Sequence, residues 1–524
     1  MNHVLCGLAA NPALPSELVD RLIVVAAAPA HAGAGPETEA DPGADPADLA
    51  DALACRAGLS RAQAVTLAAR APESAVRLAH EGRLTADDVD PVSQPLVALA
   101  LLDERAGRPA WARLLAADPV VEHRERLATC AGLPAAVVET LAADEDIRVV
   151  TELALWAPSD TAAALASHPH AEVRRAVAAN EATPPALLAA LITGKGLPAA
   201  QACLVCDREE PPFAHPPNCD RLDCDLRPGA SCDGSHESTT HDMRLMALRN
   251  PSTPAEAVVA FADHPSLLLR WALAARRDLP AEVYEQLLRD PAPGVRAGVA
   301  ENPAIDQASM RASADDRDAE VRRSLALNPR VPLDLLARLA DGTRIGTFLL
   351  PRIATASPAE ITELARSSVP ALRMLLARRR DLPDAVRDAL ADDADAKVAG
   401  SVAPHPGLTE ARLRALADRH GARVIAQVAS NPDAPPALLT DLARREPPVP
   451  KALRRIAGHR RATAEALLAC LSDRRARPIA AGHPALPGPV IAELLADDDG
   501  QVAEAAAATP SLPISVMAGL IPTP

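Results

Sequence analysis

Aromatic side chains are almost absent from this chain of 524 residues. Phe, Trp and Tyr together make up 1% of it, although 48% of its residues are hydrophobic. Any core must therefore be built from Ala, Leu, Val and Ile, which are small enough for helices to approach closely. Only three lysines are present, so arginine supplies nearly all of the positive charge. The shortage of aromatic rings also argues against a stacking platform for nucleic-acid bases.

Long apolar runs are missing as well. No stretch reaches the roughly 18 consecutive apolar residues that cross a bilayer, and residues 1–15 lack the basic region and apolar run of a secretion signal. The formal net charge of −15 disfavours nonspecific binding to nucleic acid or to anionic membranes. We therefore expect a soluble, cytoplasmic protein that binds no membrane, and we do not expect it to bind nucleic acid.

The motifs of several common catalytic sites are also absent. The chain has no glycine-rich phosphate loop, no G-x-S-x-G nucleophile elbow and no H-E-x-x-H motif. We therefore expect that the protein is not an enzyme.

A helical unit repeats along most of the chain. In AEVRRAVAANEATPPALLAALI, residues 171–192, Val173, Ala176 and Val177 form one apolar stripe at helical spacing. Pro184 then opens a second segment, in which apolar residues again keep helical spacing. Each unit is therefore predicted to be a short helix, a turn and another short helix.

The position of Pro184 recurs at intervals of 24 to 28 residues, apart from two longer gaps. Proline, serine, threonine or aspartate occupies it each time, and these residues start helices because they tolerate or cap the free amides of the first turn. We therefore predict about 18 repeats. The positions are Pro15, Ser60, Thr85, Pro109, Pro134, Asp160, Pro184, Pro254, Pro280, Asp306, Pro332, Pro358, Pro383, Thr409, Pro435, Thr463, Pro487 and Pro513.

Short helices of this kind are not stable alone in water, so each unit must bury its stripe against its neighbours. No alternating strand pattern persists, and the predicted fold is all-α: a right-handed α-solenoid of about 18 helix–turn–helix repeats with one Cys-rich insert. The predicted segments are an N-terminal repeat at 1–29, a flexible Ala/Pro/Gly/acidic insert at 30–47, a repeat array at 48–193, a Cys/His-rich insert at 194–241 and a second array at 242–524.

The unit EVRRAVAANEATPPALLAAL, residues 172–191, resembles the leucine-rich repeat variant family, whose repeat alternates short helices without strands. Similar segments are VRRSLALNPRVPLDLLARL at 321–339 and IAQVASNPDAPPALLTDL at 425–442. The resemblance implies a HEAT- and armadillo-like solenoid without known enzyme activity. Some family members carry an N-terminal cysteine cluster that binds an iron–sulfur centre, whereas the cysteine cluster here is internal.

Five of the nine cysteines lie between residues 203 and 232, as a C-x2-C pair, a looser C-x4-C pair and one further cysteine. A C-x2-C pair lets two thiolates face one ion. The proline-rich loop between the pairs has little apolar area with which to fold, so a metal could supply the missing free energy. The candidate metal ligands are Cys203, Cys206, Cys219, Cys224, Cys232 and His236.

Zinc, an iron–sulfur cluster and a loop without metal are three open interpretations of the insert. Mixed Cys and His ligands at uneven spacing suit a tetrahedral zinc site. CDGSH, residues 232–236, is similar to the CDGSH iron–sulfur motif, which implies Cys224, Cys232 and His236 as cluster ligands, although Leu222 stands where that motif has a cysteine. Free thiols would be open to oxidation, which disfavours the loop without metal. Zinc is the expected cofactor, and an iron–sulfur cluster is the alternative.

Two other features recur along the repeats. Arginine pairs on the first helices are interpreted as solvated helix faces rather than as a strip that binds an acidic partner or nucleic acid. His405, His459 and His483 occupy a turn slot that asparagine holds in other units, which favours a turn-capping role.

The function that the sequence supports best is a non-enzymatic scaffold that binds a protein partner and carries a metal-stabilised insert. A redox or metal-responsive regulatory protein, with an iron–sulfur centre in the insert, is the first alternative. A solenoid that binds nucleic acid is the second.

Overall fold

A computed structural model describes residues 2–26, 46–204, 206, 234 and 236–522. These residues form helices joined by short turns, and this part of the chain contains no β-strand. Most of the insert predicted at 30–47 lies outside the described residues, and so do Cys219, Cys224 and Cys232. None of the described helices is long and apolar enough to span a membrane.

The described ranges contain 35 α-helices and two short 3-10 helices, at Val259–Asp263 and Gly421–Arg423. The first five are α1 (Asn2–Ala10), α2 (Ser16–Ala26), α3 (Pro46–Ala54), α4 (Arg61–Arg70) and α5 (Pro72–His80). The next seventeen are α6 (Pro95–Asp103), α7 (Pro109–Leu115), α8 (Val121–Thr129), α9 (Ala135–Ala142), α10 (Ile147–Trp156), α11 (Ser159–Leu165), α12 (Ala171–Ala179), α13 (Pro185–Thr193), α14 (Glu237–Arg249), α15 (Ala255–Val258), α16 (Leu267–Ala274), α17 (Ala281–Leu287), α18 (Pro293–Glu301), α19 (Gln307–Ala314), α20 (Ala319–Leu327), α21 (Leu333–Gly342) and α22 (Pro351–Ala354). The last thirteen are α23 (Pro358–Ala365), α24 (Pro370–Leu376), α25 (Asp384–Ala391), α26 (Ala396–Val402), α27 (Glu410–His420), α28 (Ile425–Val428), α29 (Pro436–Ala443), α30 (Pro450–Ala457), α31 (Ala464–Cys470), α32 (Arg477–Ala481), α33 (Gly488–Leu494), α34 (Gly500–Ala508) and α35 (Ile514–Leu520).

The chain divides into two compact units. Unit 1 comprises residues 1–89, 347–349 and 356–524, and unit 2 comprises residues 90–346 and 350–355. Within each unit, the first helices of successive repeats pack side by side in one row, for example α16, α18 and α20 in unit 2. Second helices pack on the first helix of the following repeat and on the neighbouring second helices, as α29 does on α30 and α31 in unit 1. This is the packing order of an α-solenoid, so the predicted fold class is confirmed.

The predicted second-helix starts are found at all but one register position. Pro184 is the N-cap of α13, and Ser60 caps α4 in a capping box with Gln63. The exception is Thr85, because the described residues 81–94 form turns there instead of a helix. The carboxylate of Asp88 accepts hydrogen bonds from the backbone N–H of Thr85 at 2.9 Å and from its hydroxyl at 2.8 Å, which favours a local turn. One predicted repeat therefore lacks its second helix.

Buried asparagines in the turn slot join each repeat to the preceding one. Asn328 donates from Nδ2 to the carbonyl oxygens of Ala300 at 3.0 Å and Asn302 at 2.7 Å. Its Oδ1 accepts a hydrogen bond from the N–H of Arg330, two residues on, at 2.9 Å. Each such amide both closes its own turn and satisfies two carbonyls at the end of the preceding first helix. Equivalent bonds are made by Asn180, Asn250, Asn302 and Asn431.

Histidine fills the same slot in three repeats of unit 1. His459 Nε2 donates to the carbonyl oxygen of Asn431 at 2.8 Å, and its Nδ1 accepts from the N–H of Arg461 at 3.1 Å. His483 repeats both bonds. His405 keeps only the bond to the preceding repeat, because the N–H of Gly407 points to a carboxylate in the following repeat. Turn capping is therefore confirmed at His459 and His483, and the bond between repeats is an addition that the sequence did not reveal.

The arginine pairs at the start of the first helices are not fully exposed to solvent. Arg174 is 6% exposed and donates to the carbonyl oxygen of His168, and Arg322 donates in the same way to that of Asp316 at 2.6 Å. The second arginine of these two pairs, Arg175 or Arg323, is partly exposed. The interpretation as solvated faces is therefore wrong for Arg174 and Arg322, each of which holds the turn before its helix. Where an aspartate lies 20 residues on, the arginine at this position also joins two repeats, as Arg124–Asp144, Arg270–Asp290, Arg296–Asp316 and Arg373–Asp393.

Within unit 1 the first repeat packs on the last one, because α1 lies against α34. Asn11 donates from Nδ2 to the carbonyl oxygens of Ala507 at 2.9 Å and Thr509 at 2.6 Å. Gly7 is required at this contact, since a Cβ on it would overlap the carbonyl oxygen of Glu504. The repeats of unit 1 therefore follow one another from α23 to α35 and continue into α1.

Candidate metal centre

Three of the six predicted metal ligands lie together beside the start of α14. The Sγ of Cys203 is 3.6 Å from the Sγ of Cys206, and the latter is 3.5 Å from the Nδ1 of His236. All three ligand atoms lie within 4.8 Å of one another. Cys203 and His236 are buried, whereas Cys206 is exposed. The other three predicted ligands lie outside the described residues, so the full ligand set stays a prediction.

The distances in this cluster fit one tetrahedral ion. Two thiolates bound at about 2.3 Å lie about 3.8 Å apart, and a thiolate and an imidazole nitrogen on the same ion lie about 3.6 Å apart. The two measured distances, 3.6 Å and 3.5 Å, are close to these values. In a two-iron cluster each iron already carries two bridging sulfides and takes two protein ligands, so a third ligand lies farther away. The three atoms therefore fit a single ion better than a cluster.

The chain that leads into the cysteine pair is held against the start of α12. Ala202 forms an isolated parallel bridge with His170, and its carbonyl oxygen accepts a hydrogen bond from the N–H of Ala171 at 2.9 Å. One residue later, the carbonyl oxygen of Cys203 accepts from the N–H of Cys206 at 2.9 Å. This turn brings the two thiols to the same side. The array itself thus positions the C-x2-C pair.

Arg174 on α12 holds the same segment further upstream. Its Nη1 donates to the carbonyl oxygen of Pro198 at 2.6 Å, and its Nε donates to that of His168. Burial lowers the pKa of the Arg174 guanidinium, since the charged form loses water contacts. A buried arginine that satisfies backbone carbonyls on both sides fixes the segment to the array at this point.

His236 reaches the cluster through an unusual backbone conformation. It precedes α14 with φ 53° and ψ 31°, in the left-handed region that residues other than glycine rarely adopt. Its carbonyl oxygen accepts from the N–H of Thr240 at 2.9 Å. The hydroxyl of Thr239 donates to the carboxylate of Glu172 on α12 at 3.0 Å. Strain held in place by such contacts is typical of functional sites.

Two supporting residues, His168 and His170, were missed by sequence reasoning. Aspartates hold these two slots in other repeats, as Asp316 and Asp318 do before α20. His170 Nδ1 accepts from the N–H of Glu172 at 3.2 Å, which is the capping bond that an aspartate makes elsewhere. Burial lowers the pKa of the His168 imidazole, and the nearby His170 lowers it further. The sequence signal that could have identified these two histidines is HPH at 168–170, where other repeats have D-x-D.

His241 does not belong to the cluster. Its Nε2 lies 2.8 Å from the hydroxyl oxygen of Ser266, which caps α16 in the next repeat. This places it on the side of α14 that faces the following repeat. The structure thus places His236 beside the two thiols and His241 away from them.

Comparison with known proteins adds little. No protein-family model matches the chain, and no curated protein matches it. Among solved structures, the chain is similar to a leucine-rich repeat variant with a novel repetitive structural motif, at 19% identity and a TM-score of 0.29, over 52% of this chain and 87% of that one. It is also similar to the crystal structure of an engineered protein, at 14% identity and a TM-score of 0.15, over 83% of this chain and 98% of that one. Likenesses this weak carry no argument about function.

Proposed function

We propose that the protein is a non-enzymatic scaffold that binds a protein partner through its repeats, with an insert that a metal ion fixes to the array. The cluster of Cys203, Cys206 and His236 is the observation that carries the proposal. It joins the two ends of the insert at the point where α12 packs against α14. The leucine-rich repeat variant resemblance of the sequence agrees with a scaffold role.

Zinc is the metal that suits these residues best. Cys203, Cys206 and His236 would hold it, and one of the predicted ligands at 219, 224 and 232 would complete the tetrahedron. The ion would supply no chemistry beyond cross-linking, because a four-coordinate site of protein ligands leaves no open position. Its binding would close the loop from 203 to 236, and the free energy of metal binding would offset the entropy that this closure costs. The insert would then stand as a fixed projection beside the first-helix row of unit 2.

Exposed tryptophans support a protein partner. Trp156 at the end of α10 is 63% exposed, and Trp271 on α16 is 46% exposed. Trp271 lines a groove of about 690 Å³ together with Leu248, Arg249 and Arg277. Tryptophan and arginine are the residues that most often dominate the binding energy of protein interfaces. Two exposed tryptophans in a chain so poor in aromatics therefore favour a docking surface on unit 2.

An iron–sulfur regulatory protein is the alternative function. One observation favours it: His236 ends the CDGSH segment and lies beside the thiol of Cys206. In that case the centre would change its redox or metal state, and the neighbouring repeats would transmit the change. The close spacing of the three ligand atoms favours the single zinc ion over this alternative.

Metal analysis and a visible spectrum of anaerobically purified protein test the proposal. We expect colourless protein with one zinc per chain, and loss of the zinc in the variant Cys203→Ser/Cys206→Ser. The matched control is Cys55→Ser, an exposed cysteine outside the insert, which should keep the zinc. Iron with visible absorption would favour the alternative. Stoichiometric metal in the double variant would contradict the assigned ligands.

A pull-down from native extract tests the scaffold role. The wild-type chain should recover a protein partner at stoichiometric level, and that complex should resist nuclease treatment. Recovery of nucleic acid instead of protein would contradict the proposal.

A further inference from the structure

Five basic side chains line one groove of unit 1. Arg378 and Arg380 follow α24, and Lys451, Arg454 and Arg455 lie on α30. The groove has a volume of about 830 Å³, and no carboxylate is among the described residues that line it. The chain as a whole has a net charge of −15. The groove is therefore a local basic area on a chain whose net charge is negative.

Several arginines elsewhere in unit 1 have carboxylate partners. Arg373, five residues before Arg378, donates to Asp393 at 2.6 Å. By contrast, none of the five groove cations forms an ion pair with a described carboxylate. Burial lowers the pKa of the Arg378 guanidinium, and the charge of Arg380 lowers it further. Neighbouring cations without counter-charges raise the free energy of the free protein, and a bound anion would relieve this repulsion.

Two buried polar atoms of this groove also lack a partner among the described residues. They are Arg378 Nε, a donor, and Gln427 Oε1, an acceptor. A ligand that satisfies both must offer an acceptor and a donor. A polypeptide with acidic side chains offers carboxylates for the arginine and backbone N–H groups for the glutamine. A deoxyribose–phosphate backbone has neither an N–H nor a hydroxyl group that could donate to the glutamine.

We propose that this basic groove binds an acidic, extended polypeptide segment of a partner protein. The inference rests on the proposed scaffold function and specifies the chemistry of the partner. Lining residues run from the end of α24 across α26, α28 and α30 to Ile479 on α32. Four interhelical distances separate α24 from α32, and together they amount to about 40 Å. An extended chain of roughly twelve residues has this length. Nucleic acid is disfavoured because no aromatic side chain on which a base could stack lines the groove.

Fluorescence anisotropy with the full chain tests the groove. The probe is a labelled dodecapeptide of alternating Glu and Ser, compared with a Gln/Ser peptide and a single-stranded oligonucleotide of the same length. We expect binding of the acidic peptide alone, with an affinity that falls as salt rises. The variant Arg454→Glu/Arg455→Glu should weaken it by at least about tenfold, because two attractive charges become repulsive. Gln427→Ala should weaken it by a smaller factor.

The matched control is Arg474→Glu/Arg475→Glu, which makes the same change of charge at two exposed residues outside the groove. It should keep the affinity of the wild type. Lys451→Glu, at an exposed position on α30, is a milder second variant in case the double one does not fold. Equal binding of the Gln/Ser peptide, tighter binding of the oligonucleotide, or equal loss in the control would overturn the proposal.

The same variants separate this inference from the scaffold function. If Arg454→Glu/Arg455→Glu still recovers the partner of the wild type from extract, the scaffold stands and the groove is not its binding site. If the wild type recovers no protein, the scaffold function itself fails.

Discussion

Asn11 donates a hydrogen bond of 2.9 Å from its side-chain amide to the carbonyl oxygen of Ala507, 496 residues farther along the chain. Consecutive repeats are joined by the same bond, as Asn328 is to Ala300 at 3.0 Å. The joint between the first and last repeats of unit 1 is thus built like the joints between neighbours in sequence. We therefore expect this joint to contribute as much to the stability of unit 1 as a joint between repeats that are adjacent in sequence.

Gly7→Ala should weaken this joint. The added Cβ would overlap the carbonyl oxygen of Glu504, a backbone atom of α34, so α1 must shift away. We expect a loss of about 2 kcal/mol in the free energy of unfolding, measured by circular dichroism in urea. Gly519→Ala in α35 is the control, because its Cβ would meet no atom within 4 Å. Alanine favours helix over glycine, so the control should be neutral or slightly stabilising, and equal losses in both variants would contradict the packing.

His405 should make unit 1 sensitive to mild acid. Burial, together with the charge of Arg380, lowers the pKa of its imidazole from 6.5 to about 4. The unfolded chain therefore takes up a proton first as the pH falls. The stability that the neutral imidazole contributes is present above about pH 6.5 and is lost progressively towards pH 4.

The expected loss from this one group is about 2 kcal/mol between pH 7.5 and pH 5. His405→Asn places in the slot the residue that other repeats use, and an amide does not titrate. Urea unfolding of both proteins at the two pH values measures the difference. An unchanged pH dependence in the variant would show that His405 is not the titrating group.

The ion pair between Arg296 and Asp316 should contribute far more than an exposed pair. Its side chains are 7% and 14% exposed, and Arg296 Nε lies 2.7 Å from the carboxylate. Asp316→Asn should cost about 2 kcal/mol, because it leaves a largely buried guanidinium without its counter-charge. Asp334→Asn is the matched control, since its partner Arg311 and its own carboxylate are both more than half exposed. The control should cost no more than about 0.5 kcal/mol.

Acid should reduce the effect of Asp316→Asn. The hydrogen bond from Arg296 lowers the pKa of the Asp316 carboxyl. The contribution of the pair is therefore present above the ordinary pKa of aspartate and is lost as the pH falls through the lowered value. Unfolding free energies at neutral and acid pH measure this, and a difference from wild type that stays constant with pH would contradict it.

His236→Ala should lower zinc affinity at least about tenfold, because it removes a ligand from the cluster. A competition titration with a chromogenic chelator gives the affinity. His241→Ala, on the adjoining helix α14, is the control: it loses the contact with Ser266 but no cluster atom. The control should keep its zinc affinity, and equal losses in both variants would contradict the assignment of His236.

The repeats were predictable because their signals are local. An apolar stripe and a helix-starting residue such as Pro184 lie within one unit, and the structure begins a helix at that residue. The helix start predicted at Thr85 was wrong, because the hydrogen bond of Thr85 with Asp88 is also local and favours a turn. The bonds between repeats, such as Asn328 to Ala300, were not predictable, because the acceptor lies in another unit and nothing in its own sequence marks it. The joint of α1 on α34 was hidden for the same reason.

The candidate metal centre was predictable in part. The spacing of Cys203 and Cys206 is a local signal, and the structure keeps both thiols together. His236 could only be ranked among several histidines, since its approach to Cys206 depends on how the insert returns to the array. The bridge of Ala202 with His170 joins segments that share no sequence pattern, so the support of the site could not be found without the structure.

The contact of α1 with α34 also affects the order in which parts of the chain can fold during synthesis. Translation proceeds at roughly 5 to 20 residues per second, so α34 emerges on the order of 25 to 100 s after α1. Through that interval α1 lacks one of the helices against which it packs in the complete structure. Unit 2 is almost continuous in sequence and can be finished first. Helix α1 therefore belongs to the unit that is completed later, and the face that packs on α34 stays open to chaperones and to aggregation until α34 has been synthesised.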